Sequence, residues 1–150
     1  MKIETTINFE ITVSNHIIIF CKVNSVRGRF IIDSGASNSC INYYSKEKFN
    51  LKFKKSNEKA SSATDQITNI FYSKNNTLEI AKMKKNNLDF IIFDMSHINN
   101  ALNEKDIKKV DGIIGGEILK ELNAVISNLR VLKTCSKTFA SMEKEYREKA

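Results

Sequence analysis

Asp33 is the residue in this 150-residue chain whose setting most resembles that of a working acid. The apolar run Phe30-Ile31-Ile32 delivers its carboxylate into a turn of small residues, Ser34-Gly35-Ala36-Ser37. That order suits an acid held by nearby backbone and approached closely from outside, because Ser and Gly build tight turns without bulk. A carboxylate held in this way can take or give a proton. Much later a second apolar pair is framed by glycines, in Asp111-Gly112-Ile113-Ile114-Gly115-Gly116. Asp111 runs directly into Gly112 with no hydroxyl residue between them, so this is not a second copy of Asp33-Ser34-Gly35.

Other chemistries fit the residues less well. Cys21, Cys40 and Cys135 show no C-x-x-C spacing, and His16 and His97 stand in no motif that ties them to a cysteine. Neither a metal site nor a cofactor is expected from such a set. The odd, sparse thiols read as small apolar fillers in a reduced, cytoplasmic protein. A nucleophilic role for Ser37 is disfavoured, since Gly35-Ala36-Ser37-Asn38-Ser39 lacks the second glycine of a nucleophile elbow.

The elements that must position Asp33 are mostly strands. Thr6 to Val13 alternates polar and apolar residues, the pattern of a half-buried strand. His16 to Val23 is nearly continuous in apolar residues and reads as a strand covered on both faces. Asn24 to Gly28 is a hairpin signal, and Arg29 to Asp33 is the return strand. Asn38 to Asn42 is a short extended piece. Ser45 to Phe49 reads as a helical turn capped by Ser45 and closed by Asn50. Lys54 to Asp65 is polar and small and reads as a mobile loop. Strands are expected at Ile67 to Ser73 and Thr77 to Met83, broken by Lys74-Asn75-Asn76, and then at Leu88 to Phe93. Met95 to Lys109 is weakly helical, and Ile113-Ile114 is a short core strand. Glu117 to Leu122 places Ile118, Leu119 and Leu122 on one helical face, with Asn123 as its stop. Ala124 to Ile126 and Leu129 to Leu132 read as strands around a Ser127-Asn128 turn. Many short strands with one well-marked helix point to a β-rich, barrel-like domain.

Asp33-Ser34-Gly35-Ala36-Ser37, followed downstream by Ile113-Ile114-Gly115, resembles the retropepsin-like aspartic proteases, the single-lobe retroviral type, in a bacterial-type form. Phe90 to Asp94, continuing into Met95-Ser96-His97-Ile98-Asn99-Asn100, is similar to the segment before that motif in bacterial members. The resemblance covers about Thr6 to Leu132. It implies a mainly β fold, a closed acid-protease barrel with a short helix after the Ile-Ile-Gly motif; the C-terminal helix expected beyond it rests on the spacing of apolar residues in the tail. The protease domain would span 1–135, and 136–150 would be an amphipathic helix or flexible tail, with Phe139, Met142 and Tyr146 on one side.

The resemblance also implies an activity. Two aspartates sharing one proton can serve as base and acid in peptide hydrolysis, because like charges about 3 Å apart cannot both ionise. This chain has one Asp-Ser-Gly, so a homodimer must supply the second acid, with Asp33 and its mate on the twofold axis. The expected protein is then a homodimeric aspartic endopeptidase acting on a peptide or protein substrate. The alternative is a binding module that keeps the fold with weak or no activity. Asp33 is the implied catalytic residue. Ser34 would brace the loop across the dimer, Gly35 would donate its N–H toward the acids, and Ala36 and Ser37 would complete the loop. Ile113, Ile114 and Gly115 would pack beneath it. The implied flap, Ala60-Ser61-Ser62-Ala63-Thr64, has no glycine and takes positive φ less cheaply than glycine would. Gly116, where the family often has a bulkier residue, is expected to loosen the helix start. Ala36 offers the acids no hydroxyl, so cleavage is expected at mildly rather than strongly acidic pH.

The formal net charge is +7 and the pI about 9.3. The lysines are spread in groups, at 52–59, 82–85 and 105–109, without interleaved aromatics. This reads as a solvated basic surface, and nucleic acid is not expected as a partner. No apolar run approaches the ~20 residues that span a bilayer, so no membrane association is expected. With no proline in the chain, its turns must be made by Asn, Ser, Asp and the five glycines.

Overall fold

The computed structural model describes residues 4–56, 60–61, 66–67, 69–127 and 131–135. In chain order the strands are β1 (Glu4–Asn8), β2 (Glu10–Ile11), β3 (Ile17–Val23), β4 (Val26–Asp33), β5 (Cys40–Asn42), β6 (Phe53–Lys55), β7 (Ala60–Ser61), β8 (Gln66–Ile67), β9 (Phe71–Ile80), β10 (Met83–Phe93), β11 (Gly112–Gly115), β12 (Val125–Ser127) and β13 (Val131–Cys135). The helices are α1 (Ser96–Asn103), lying between β10 and β11, and α2 (Gly116–Glu121), which follows β11 directly.

Eight strands pair in the order β2-β3-β4-β11-β5-β10-β9-β6, and β3 also pairs with β9. That extra pairing, Lys22 with Glu79 and Val23 with Leu78, closes β3, β4, β11, β5, β10 and β9 into a six-stranded barrel. β2 and β6 extend outside the ring. β1, β13 and β12 form a separate three-stranded sheet, and β7 and β8 form a two-stranded hairpin. The mainly β, closed-barrel architecture read from the sequence is therefore present, as is the short helix after the Ile-Ile-Gly motif.

Strand alternation divides the apolar residues between two cores. Phe30 and Ile32 of β4 join Phe49, Ile41, Leu78, Phe90, Ile92, Ile114 and Ile118 in the larger one. Ile31, between them, joins Ile18, Cys40, Met95, Leu102 and Val110 in a second core built against α1. A period of two puts neighbouring residues on opposite faces of a strand, and here both faces are buried.

Several elements differ from expectation for identifiable reasons. The strand expected over Thr6 to Val13 is two pieces: Phe9 turns into the larger core and sends β1 to the terminal sheet and β2 to the barrel edge. β3 is not covered on both faces, because Phe20 is half exposed, with the Arg27 guanidinium 4.1 Å over its ring. The β3–β4 hairpin turns on Asn24 and Ser25 alone, both at positive φ, as in the two-residue turns that match strand twist. Gly28 lies inside β4, where a Cβ would come within 2.6 Å of both the Phe30 and Phe49 rings. The helical turn is a 3₁₀ turn at Tyr43–Ser45, earlier than expected; the Ser45 hydroxyl donates to Asp111 Oδ1 at 2.9 Å instead of capping, while Asn50 does close the following turn at positive φ.

Lys54 to Asp65 is not a single loop, since Phe53–Lys55 lies in a strand beside β9 and Ala60–Ser61 pairs with Gln66–Ile67. Lys74-Asn75-Asn76 does not break the following strand. Asn75 takes positive φ and forms a bulge within the continuous β9, and buried Asn76 donates to Ser73 Oγ at 3.0 Å and to the Leu88 carbonyl at 3.3 Å. The weak helical signal over Met95 to Lys109 resolves into the shorter α1, which Asp106 at positive φ helps to end. The expected C-terminal helix over 136–150 lies outside the described residues.

Candidate active site

β4 ends at Asp33, and β11 runs parallel beside it with Ile113 opposite Ile31, Ile114 opposite Ile32 and Gly115 opposite Asp33. The two motifs singled out in the sequence are therefore neighbours that end at the same level. On its other edge β11 meets β5, with Ile113 opposite Cys40. The chain must therefore leave Asp33, cross over the end of β11 and come back down on its far side. The loop 34–39 makes that crossing.

The loop is held by backbone donors at the start of α2. Gly116 N–H donates to the Ala36 carbonyl at 2.8 Å, and Gly115 N–H donates to Ser39 Oγ at 2.7 Å. A Cβ on Gly115 would lie 2.8 Å from the Ala36 carbonyl oxygen, and one on Gly116 would lie 2.8 Å from that of Ser34. Both glycines are required by this close approach. Gly116, expected to loosen the helix, instead gives the loop room to lie on it.

Asp33 is exposed and aimed away from both cores. Its Oδ1 accepts the Gly35 N–H at 3.0 Å, and its carbonyl accepts the Ala36 N–H at 3.1 Å. Ser34, Gly35 and Ser37 are exposed, and Ala36 is half-buried. Beneath them Ile114 is fully buried and Ile113 half-buried. A carboxylate fixed by backbone yet open to solvent can bind and polarise a water molecule.

Asp111 has a different environment. It is buried, and its carboxylate accepts the Arg29 N–H at 3.0 Å, the Ser45 hydroxyl at 2.9 Å and the Lys48 ammonium at 2.9 Å. Its own N–H donates to the Arg29 carbonyl at 2.7 Å, and its carbonyl accepts the Asn42 N–H at 2.8 Å. This acid ties β4, β5 and the 3₁₀ turn to the start of β11, and its oxygens are already engaged.

Glu117 is a residue that the sequence reading passed over. Its Oε1 accepts the Ser39 N–H, and its Oε2 is buried without a hydrogen-bond partner among the described residues. It therefore grips the loop that carries Asp33 at Ser39, the residue whose hydroxyl also accepts the Gly115 N–H. A contact across 78 positions leaves no local signature in a single sequence.

Burial pushes the Cys40 thiol up to about 12, and it pushes the Cys21 thiol higher still. Both are free and buried, as expected of fillers, while the side chain of Cys135 lies outside the described residues. Of the implied flap, Ala60 and Ser61 form one strand of the β7–β8 hairpin, whereas Ser62, Ala63 and Thr64 lie outside the described residues. Among the described residues no cluster of three or more His, Cys, Asp or Glu side chains could hold a metal ion. Among them also, no helix is long and apolar enough to cross a membrane.

A family profile described as aspartyl protease matches residues 19–118, a span that includes both Asp33 and the Ile113-Ile114-Gly115 motif. The chain belongs to the aspartyl protease family. No curated protein sequence matches it. Among solved structures, this aspartyl protease family member is similar to a retropepsin-like aspartic protease from Rickettsia conorii, with a TM-score of 0.62 and 16% identity over 90% of this chain and 93% of that one. It is similar to the EIAV protease complexed with the inhibitor HBY-793, with a TM-score of 0.57 and 13% identity over 77% of this chain and 95% of that one. It is also similar to the retroviral protease-like domain of Ddi1 from Leishmania major, with a TM-score of 0.51 and 17% identity over 80% of this chain and 85% of that one. At these identities the likeness establishes a retropepsin-like fold for this aspartyl protease family member.

Proposed function

We propose that this protein is a homodimeric aspartic endopeptidase that hydrolyses peptide bonds with water activated between Asp33 and Asp33 of a second copy. The observation that carries this reading is the contrast between its two glycine-flanked acids. Asp33 is exposed on a loop braced by Gly35, Gly115 and Gly116, while Asp111 is buried with both oxygens occupied. One accessible acid per chain needs a mate, and a twofold axis beside Asp33 supplies it.

In that arrangement the pair holds one proton between two carboxylates. The ionised member takes a proton from the attacking water, and the protonated member gives its own to the carbonyl oxygen of the scissile amide. The Gly35 N–H, 3.0 Å from Oδ1, fixes the carboxylate plane so that one oxygen faces the water. Ile114 and the larger core keep the loop from sinking, and Ser34 at the exposed surface is free to reach the second copy.

The test uses wild type and Asp33→Asn, both checked for dimers by sedimentation and incubated with a peptide library from pH 3 to pH 7. The expected result is cleavage by wild type and a loss of at least about 10³-fold in the variant. Equal cleavage by both proteins, no cleavage by either, or full activity in a stable monomer would overturn the proposal.

A further inference from the structure

A cleft of about 900 Å³ opens beside the Asp33 loop, where Asn38 and Ser39 form one wall. Ladder pairings lead outward from that loop. Ile91 N–H donates to the Ser39 carbonyl at 3.1 Å, Ile91 lies opposite Tyr72, and Tyr72 lies opposite Lys54. Directly opposed residues share a face of the sheet, so Ile91, Tyr72 and Lys54 form one row across the cleft. Phe53, Tyr72 and Ile91 supply apolar surface, while Phe90 beneath them is fully buried in the larger core.

Charge at this cleft is one-sided. Lys52, Lys54 and Lys74 all line it, and all are exposed. None of the three is in an ion pair among the described residues, whose salt bridges are Arg29–Glu10, Lys48–Asp111 and Lys85–Glu121. The one carboxylate in the lining, Asp89, accepts the Asn75 N–H of the β9 bulge at 3.3 Å. Three unpaired ammonium groups around an apolar floor attract an anionic group carried on an apolar backbone or stem.

Building on the endopeptidase reading, we propose that this cleft is a specificity site for acidic peptides. A Glu or Asp of the substrate, outside the scissile pair, places its carboxylate among Lys52, Lys54 and Lys74 while the peptide extends toward Asp33. In a symmetric dimer each copy contributes one such cleft, so acidic residues are selected on both sides of the cut. The lysines act on substrate position and take no part in the proton transfers.

The experiment has a cleavage arm and a binding arm. Peptides that share one scissile pair but carry Glu, Gln or Lys at the flanking positions are digested by wild type, by Lys54→Glu/Lys74→Glu and by the control Lys105→Glu/Lys108→Glu. The same peptides, fluorescently labelled, are titrated into Asp33→Asn with and without the cleft reversal, so that recognition is read even in the absence of cleavage. The expected preference for Glu over Gln is about tenfold, the size a few partly screened charge pairs produce, and appears mostly in KM and in Kd. It should shrink as salt is raised. It should reverse toward Lys in the cleft variant and persist in the control. Indifference to flanking charge in both arms would overturn the proposal, as would a preference that survives the cleft reversal or is lost equally in the control. Charge-dependent binding without cleavage would uphold this cleft while sinking the endopeptidase reading.

Discussion

Glu117 gives the candidate site its most exacting contact, because one of its oxygens is used and the other is stranded. A Cβ on Gly115 would lie 2.6 Å from the stranded Oε2 and 2.8 Å from the Ala36 carbonyl oxygen, so two acceptors lie near one spot. Glu117→Ala should lower stability by about 1–3 kcal/mol, since it leaves the buried Ser39 N–H unpaired. Glu117→Gln keeps the acceptor and brings an amide donor to the spot, so its urea midpoint should equal or exceed that of wild type. A midpoint for Glu117→Gln as low as that of Glu117→Ala would contradict this account. Ala36→Ser tests the other side of the loop. A hydroxyl that bonds the ionised acid favours that form, so the pH–rate profile should move toward lower pH. An unchanged profile would show that the added hydroxyl does not reach the acids. At this scale Asp33 was legible because its chemistry is written in consecutive residues. Glu117 was not, because its partner is brought to it only by the fold.

At the scale of elements, the punctuation of this chain is unusual, and it explains where sequence reading went astray. Among the described residues ten non-glycine positions have positive φ, and seven of them are asparagine, at 15, 24, 50, 69, 75, 87 and 123. Asn tolerates that region because its short amide can bond locally. The same residue type therefore marks a hairpin turn at Asn24, a turn closure at Asn50 and bulges within strands at Asn75 and Asn87. Composition cannot separate these uses; the ladder on the partner strand decides between them. That is why β9 was read as two strands broken at Lys74-Asn75-Asn76 and β10 as beginning only at Leu88, whereas β4, β11 and α2 were placed nearly where they lie. Ala81, in the β9–β10 turn at φ 51°, is the least suited of the ten. Ala81→Gly should raise stability by about 0.5–1 kcal/mol, read as a higher melting temperature at unchanged activity. A drop would mean that the lost methyl outweighs the relief of the turn.

For the molecule as a whole, the proposed catalysis belongs to a pair of chains. Specific activity should fall on dilution below the dimer dissociation constant. A tandem fusion of two copies should resist dilution, and one Asp33→Asn half should silence it. Stability should also depend on pH through the buried thiols. Burial raises the folded values of Cys21 and Cys40 above the ordinary thiol value of 9.0, so on raising pH the unfolded chain loses these protons first. The thiol contribution is complete below about pH 9 and declines as pH rises toward about 12. Each thiol should cost about 1 kcal/mol per pH unit in that range. Urea midpoints at pH 8 and pH 10 should therefore diverge more in wild type than in Cys21→Ala/Cys40→Ala. Equal divergence would assign the alkaline loss to other groups. The closed barrel was legible as a class from strand count and turn spacing. Its closure through β3 and β9 was not, because a pairing between residues more than fifty positions apart leaves no periodic trace.

None of the five glycines has positive φ. A thermostabilisation campaign would ordinarily begin by replacing such residues with alanine, which stiffens the denatured chain at backbone angles alanine accepts. Here that recipe inverts. At 28, 112, 115 and 116 the obstacle is a ring or a carbonyl already occupying the space, as close as 2.2 Å in the case of Gly112 and the Cys40 carbonyl oxygen. Gly35, whose nearest such neighbour would be 3.4 Å away, is the glycine that sterics leave open, and it adjoins the acid that the proposed chemistry needs most.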